Sequence, residues 1–233
     1  MMAFSSVPES LALIPDGNRR WARAHRLSIM DGYELGVKKF LDFSEWCISY
    51  GIKNVTVWAL SSENIKRSKG EVKILFNIYR NACRDSKLLD SLQSRGIKLN
   101  IISNKEFLPR DLVLAFDDLQ RKTKNNSNGV LNILVGYGGK DDLLHAAKKA
   151  IGLARKGIDV DADEFTKCLL SNQVPEIDLI IRTSGERRLS GFMPWQTSYS
   201  ELYFCSKLWP DFSRQDLRAA LSDYSSRNRR FGR

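Results

Sequence analysis

Two spacings of apolar residues alternate along the chain. Short runs at positions 11–14, 55–60, 97–102, 130–135, 179–181 and 201–204, rich in Leu, Ile, Val and aromatic residues, predict buried strands. Between them the apolar residues fall at helical spacing. Leu35, Phe40, Leu41, Phe43, Trp46 and Ile48 give one broad face that ends at Gly51. Val72, Leu75, Phe76 and Tyr79 give a second, behind Ser68 and Glu71, which are spaced as a capping box. Pro109 opens a third helix through Leu112, Leu114, Phe116 and Leu119. Further helices carry Leu143, Leu144, Ala147 and Ile151, then the segment 163–170, then Leu217, Ala220 and Leu221 after Ser213. This alternation predicts an α/β fold on a mostly parallel sheet of five or six strands. No internal boundary is evident, so residues 1–233 are expected to form a single domain. Phe40, Phe43, Trp46, Phe76 and Tyr79, with Met2, are expected in the core.

Polar residues gather where the strands end. The run 11–14 closes at Pro15 and hands over to Asp16-Gly17-Asn18-Arg19-Arg20, a turn that opens a helix beside two cations. Such a terminus, with its unpaired N–H groups and guanidinium donors, suits a phosphate. A carboxylate such as Asp16 belongs next to a phosphate if a hard cation, most simply Mg²⁺, is shared between them. The second strand ends in Ser61-Ser62-Glu63-Asn64-Ile65-Lys66-Arg67, and the fourth in Gly136-Tyr137-Gly138-Gly139-Lys140. The fifth ends in the richest loop, Arg182-Thr183-Ser184-Gly185-Glu186-Arg187-Arg188-Leu189-Ser190, a composition suited to a diphosphate. In an open parallel sheet all these loops fall on one rim, where ligands bind.

Charge and cysteine usage narrow the partners. A net charge of +10 admits nucleic acid, an anionic membrane face or a polyanionic small substrate. The cations lie scattered in helices and in loops that also hold Gly, Ser and acidic residues, with no basic stripe interleaved with aromatics, so no nucleic-acid partner is expected. Cys47, Cys83, Cys168 and Cys205 lie far apart, which suggests neither a zinc site nor a disulfide framework and fits a cytoplasmic location. No apolar run approaches the length of a membrane span. His25 and His145 stand in none of the polar blocks and are expected as surface or hydrogen-bonded residues rather than bases. Walker and dinucleotide fingerprints are absent.

Several blocks, in order, resemble the cis-prenyltransferases, the family of undecaprenyl diphosphate synthase. They are Asp16-Gly17-Asn18-x-Arg20-Trp21-Ala22, Ser61-Ser62-Glu63-Asn64-x-x-Arg67, Tyr137-Gly138-Gly139 and Arg182-Thr183-x-Gly185-Glu186-x-Arg188-x-Ser190. Trp195-Gln196, Ser200-Glu201-Leu202-Tyr203-Phe204, Trp209-Pro210 and Arg229-Arg230-Phe231-Gly232 extend the match over almost the whole chain. The resemblance implies a six-stranded, mostly parallel sheet surrounded by helices, a hydrophobic tunnel, a homodimer, prenyl diphosphate substrates and Mg²⁺. It also implies peripheral membrane contact through a lipid product, and a basic C-terminal end that reaches the partner subunit's active site. Carried over residue by residue, Asp16 positions Mg²⁺ and an allylic diphosphate that also meets Gly17, Asn18, Arg19, Arg20, Trp21 and Tyr33. Arg182, Arg188 and Ser190 hold the diphosphate of isopentenyl diphosphate, and Glu201 reaches the metal on that side. Ser61, Asn64 and Arg67 frame the reacting carbons.

This chain departs from the family pattern mainly on the allylic side. Pro15 stands where methionine is usual, Arg19 where glycine is usual, and Ile65 and Ser68 where an aromatic residue and proline are usual. Ile29 and Tyr33 replace an arginine and a histidine that contact the allylic diphosphate. Asp31-Gly32-Tyr33 resembles the branch that joins two allylic diphosphates into irregular, lavandulyl-type products. The main expectation is therefore cis condensation of an allylic diphosphate with isopentenyl diphosphate. Irregular, non-head-to-tail prenyl transfer is the first alternative, and a non-catalytic subunit of a heteromeric prenyltransferase the second.

Overall fold

The computed structural model describes residues 4–227; Met2 and the basic end, Arg229 to Arg233, lie outside it. In chain order the elements are β1 (Ser10–Ile14), α1 (Asn18–Ala24), α2 (Ile29–Ser49), β2 (Asn54–Ser61), α3 (Lys69–Arg84), α4 (Ser86–Ser94) and β3 (Ile97–Ile102). They continue as α5 (Arg110–Thr123), β4 (Gly129–Tyr137), α6 (Gly139–Ala154), α7 (Ala162–Cys168), β5 (Leu179–Arg182), β6 (Glu201–Phe204) and α8 (Arg214–Ser226). The strands form one sheet in the order β3-β4-β2-β1-β5-β6, and each pairing is parallel.

Strand alternation explains the layering. Leu11, Leu13, Val55, Val57, Leu179 and Ile181 point to one face, where they meet Phe43 of α2, Leu92 of α4, Leu119 of α5 and Leu217 and Leu221 of α8. Ala12, Ile14, Trp58, Leu134 and Ile180 point to the other, covered by Val174, Ile177, Phe192 and Met193. Each fully buried Leu or Ile contributes about 1.5–3 kcal/mol. Because both faces are covered, the strands read as continuous apolar runs rather than as alternating ones.

Three local features differ from the sequence expectation. Helix α4 is additional: Asp85 ends α3 and at once caps α4, accepting from the Lys87 amide at 3.0 Å, so no glycine or proline marks the break. Strand β4 runs on to Tyr137. Its pairing with β2 steps from Leu60 opposite Val135 to Ser61 opposite Tyr137, leaving Gly136, at φ +64°, as the extra residue of a bulge. The third is the box at Ser68, which is only half formed. Ser68 accepts from the Glu71 amide at 3.3 Å, but the Glu71 side chain turns to other partners. Complete boxes sit instead at Ser28 with Asp31, which opens α2, and at Ser213 with Asp216, which opens α8.

A cavity of about 410 Å³, mostly apolar, lies between α2, α3, α4, α5 and the sheet; Phe40 and Tyr79 stand in its wall. Phe43 is fully buried in the core, while Trp46 and Phe76 are only partly buried against it. Trp209, also fully buried, ties several elements together. Its indole donates to the Gly36 carbonyl of α2 at 2.9 Å and its ring packs against Phe40, Phe43 and Phe212. Replacing Trp209 by Phe removes that hydrogen bond and opens a cavity. The expected loss is about 2–4 kcal/mol of unfolding free energy, read from a lowered urea midpoint with an unchanged m-value.

Candidate active site

From β1 the chain moves first to the β2 side of the sheet and later returns on the opposite side as β5. The carboxyl ends of β1 and β5 therefore flank a switch point, the position at which open α/β sheets bind ligands. Asp16 follows β1 and Arg182 ends β5, and their side chains meet at 3.1 Å.

The backbone around Asp16 is held from two sides. Its carbonyl accepts from the Thr183 hydroxyl at 2.7 Å and from the Trp209 amide at 3.0 Å. Gly17 adopts φ +109°, and a Cβ there would come within 2.9 Å of Leu208, so the turn requires glycine. Arg20, in the first turn of α1, donates to Ser184 Oγ at 2.5 Å and to the Ser184 carbonyl at 3.3 Å, and lies 3.7 Å from Glu186.

Arg182 is 5% exposed. It donates to the Arg188 carbonyl and to Ser190 Oγ at 3.0 Å, while its Nε has no hydrogen-bond partner among the described residues. The loop after β5 holds Ser184 at φ +79° and Ser190 at φ +55°, conformations that cost a non-glycine residue about 1–3 kcal/mol each. Backbone bonds from Ser184 to Lys207 at 2.6 Å and from Gly185 to Cys205 at 2.8 Å keep it in place.

On the α2 and α3 side a partly buried carboxylate gathers three residues. Glu71 accepts from the Tyr33 hydroxyl at 2.5 Å and from Arg67 at 2.9 Å, and lies 3.5 Å from Arg19; Arg67 also donates to the Tyr33 oxygen at 3.0 Å. Burial alone would raise the Glu71 pKa, but the Tyr33 hydroxyl, Arg67 and Arg19 outweigh it and hold the group below the ordinary carboxylate range. Tyr33 shifts the opposite way, upward, through burial and its bond to Glu71, so it stays a protonated donor.

One pocket of about 360 Å³ unites most of the expected residues: Asp16, Gly17, Asn18, Arg19, Arg20, Tyr33, Ser61, Asn64, Arg67, Arg182 and Ser190 all line it. Ser61 Oγ accepts from the Asn64 amide at 3.1 Å, which shapes the loop after β2. Three expected residues stand elsewhere. Trp21 donates to Asp211 at 2.7 Å and stacks on His25, bracing α1 from behind. Arg188 turns outward to Glu186 at 2.6 Å, and only its carbonyl faces Arg182. Glu201 sits level with Leu179 at the amino end of β6, while Arg182 sits level with Phe204, so three residues, about 10 Å of strand, separate Glu201 from the rim. It pairs there with Arg227 at 2.6 Å. His145 departs from expectation too, since its Nε2 is buried and has no hydrogen-bond partner among the described residues.

The sequence reading missed Glu71 and Ser184. The N3 position of the capping pattern gave Glu71 a structural explanation, and nothing in the sequence marks Ser184 as the residue that receives Arg20.

A family model described as "Putative undecaprenyl diphosphate synthase" matches residues 14–232. The chain belongs to this family. It is 41% identical to an isoprenyl transferase of Aquifex aeolicus over 97% of this chain and 96% of the relative. It is 39% identical to a geranylgeranyl-diphosphate-specific tritrans,polycis-undecaprenyl-diphosphate synthase of Pyrobaculum aerophilum, over 97% of both. In structure it is similar to lavandulyl diphosphate synthase from Lavandula x intermedia in complex with dimethylallyl diphosphate. The TM-score is 0.92 at 35% identity, covering 97% of this chain and 99% of that one. The undecaprenyl diphosphate synthase family is one of prenyltransferase enzymes, and this chain is a prenyltransferase.

For a member of this family the donor set at the pocket fits Mg²⁺. Among the described residues no group of three or more His, Cys, Asp or Glu side chains converges, and Asp16 alone offers a carboxylate at the Arg182 end of the pocket. Mg²⁺ is commonly held in this way, by one carboxylate and the oxygens of a substrate diphosphate.

The state of Glu71 can be read from stability. A carboxyl whose folded pKa is depressed stabilises the fold above its ordinary value, 4.5 here, and loses that contribution as pH falls through the folded value. Wild type is therefore expected to exceed Glu71→Gln in unfolding free energy at pH 7, with the gap closing below pH 4.5. A gap independent of pH would contradict an ionised Glu71.

Proposed function

We propose that this prenyltransferase condenses an allylic prenyl diphosphate with isopentenyl diphosphate in cis, with residues 1–233 acting as one catalytic domain. The observation that carries the reading is the meeting of Asp16 and Arg182 at 3.1 Å in a pocket that also collects Arg19, Arg20 and Arg67. Four guanidinium groups against two carboxylates, Asp16 and Glu63, leave a cationic excess that suits two diphosphates better than one neutral ligand.

In this reading Arg19 and Arg20 bind the donor diphosphate at the first turn of α1. Arg182, whose Nε has no partner among the described residues, and Ser190 hold the second diphosphate. Mg²⁺ on Asp16 would supply a Lewis acid that stabilises the departing diphosphate. The allylic C–O bond breaks and the electron pair leaves with the diphosphate, whose added charge the arginines stabilise in a partly dehydrated pocket. The alkene of the second substrate forms the new C–C bond, and the adjacent carbon loses a proton to a diphosphate oxygen or to a group around Ser61 and Asn64. The apolar cavity beside α2 and α3 supports this reading, because a growing prenyl chain needs such a volume. The same reading includes a cytoplasmic homodimer that touches a membrane through its lipid product. Leu144 and Ile151, on one stripe of α6 and 61% and 55% exposed, are consistent with a second copy.

A second reading, irregular condensation of two allylic diphosphates, is favoured by Ile29 and Tyr33 in place of the usual arginine and histidine. It also has support from the likeness to lavandulyl diphosphate synthase. Incubation with Mg²⁺ and a panel of allylic diphosphates, with isopentenyl diphosphate present or omitted, separates the two. Regular condensation gives products lengthened by five-carbon units only when isopentenyl diphosphate is present. Product formed in its absence selects the irregular reaction, and no product from any pair moves the assignment to a non-catalytic subunit. Replacing Arg19 by Gly is expected to weaken donor binding and lower turnover; unchanged values for both would remove Arg19 from the donor site.

A further inference from the structure

Two of the positions at which this chain departs from the family pattern, Arg19 and Tyr33, touch one carboxylate. Glu71 stands in the first turn of α3 outside the pocket lining, yet it contacts Arg19, Tyr33 and Arg67, all of which line the pocket. Its two oxygens are used differently. Oε1 accepts from the Tyr33 hydroxyl at 2.5 Å and from Arg67 at 2.9 Å, and Arg67 donates to the Tyr33 oxygen at 3.0 Å, which closes a ring of three hydrogen bonds. Among the described residues Oε2 meets only Arg19, at 3.5 Å, and the Arg19 side chain is 49% exposed against 27% for Arg67.

We propose that Glu71 is a positioning residue and counter-ion latch for the donor diphosphate. It fixes Arg67 through the Tyr33 ring, and it parks Arg19 on its second oxygen until a diphosphate takes Arg19 over. The inference rests on the prenyl diphosphate reading given above. The exchange is asymmetric for a physical reason. A diphosphate carries more charge than a carboxylate and accepts a guanidinium fork bidentately, whereas the Arg19 contact to Glu71 is long and solvent-screened. Releasing Arg19 leaves Oε2 to water and the ring on Oε1 intact. Releasing Arg67 would break two hydrogen bonds in a partly buried place, so Arg67 stays. Arg19 thereby serves capture of the anion and Arg67 serves orientation at the reacting carbons.

The test separates binding from turnover in Glu71→Gln and Tyr33→Phe. Binding of inorganic diphosphate with Mg²⁺ is measured by calorimetry, and steady-state kinetics use dimethylallyl diphosphate as donor. In Glu71→Gln, which frees Arg19, diphosphate is expected to bind about two- to fivefold tighter, the scale of one exposed ion pair. The same variant should lose about tenfold or more in kcat, because Arg67 is no longer oriented. Tyr33→Phe should lower kcat with diphosphate affinity kept, and the double variant should be no worse in kcat than Glu71→Gln. A purely structural role predicts loss of stability with affinity unchanged or weakened, and that result overturns the latch. So does additivity of the two kcat effects. Should Glu71→Gln fail to fold, Tyr33→Phe decides through kcat: a lowered kcat with affinity and stability kept supports the positioning ring, and an unchanged kcat overturns it. Failure of wild type to bind diphosphate sinks the functional reading as well, whereas wild-type binding that Glu71→Gln leaves unchanged sinks the latch alone.

Discussion

The ion pair between Asp16 and Arg182 is the constraint around which the rim of the sheet is built. A guanidinium that is 5% exposed cannot remain without compensation, and within reach it has one carboxylate, one carbonyl and one hydroxyl. Meeting that need fixes the carboxyl ends of β1 and β5 relative to each other. The Thr183 hydroxyl and the Trp209 amide then bond the Asp16 carbonyl, so the backbone is held as firmly as the charge. The core tryptophan that packs on α2 thus also holds the backbone carrying the pocket's carboxylate.

Around this pair the molecule separates two solvent environments. The pocket at the rim gathers arginines and hydroxyls, and the neighbouring cavity is lined mainly by apolar residues, among them Val37, Phe40, Ile78, Tyr79 and Phe116. Helices α2 and α3 serve both. Tyr33 and Leu75 face the polar pocket, while Val37 and Tyr79, one turn further along, face the apolar cavity. An amphiphile with a charged head and a hydrocarbon tail matches such a pair of compartments, and the low polarity of the second strengthens charge interactions in the first.

Much of this was legible in the sequence. The six strands, their polar ends and their convergence on one rim follow from apolar runs that stop at Pro15, Ser61 and Arg182, since a parallel sheet leaves those ends on the same side. What was not legible depends on side chains satisfying one another across the fold. Glu71 answers the local capping rule in spacing, but a neighbouring tyrosine and two arginines give its carboxylate better partners than the Ser68 amide. Glu201 and Arg188 carry the family's residue types, yet Arg227 and Glu186 neutralise them in this chain, away from the pocket. Helix α4 was hidden because a single aspartate both ends one helix and starts the next.

The loop after β5 has a further consequence. With Ser184 and Ser190 held at positive φ and its amides stitched to the strand exit at Cys205 and Lys207, it is shaped during folding rather than on meeting an anion. The ordering entropy that a floppy loop would surrender at each encounter is here subtracted once, from the stability of the free protein. With the loop holding a diphosphate as proposed, affinity for that group and global stability would be coupled quantities in this molecule. Substitutions that relax the loop should trade one for the other.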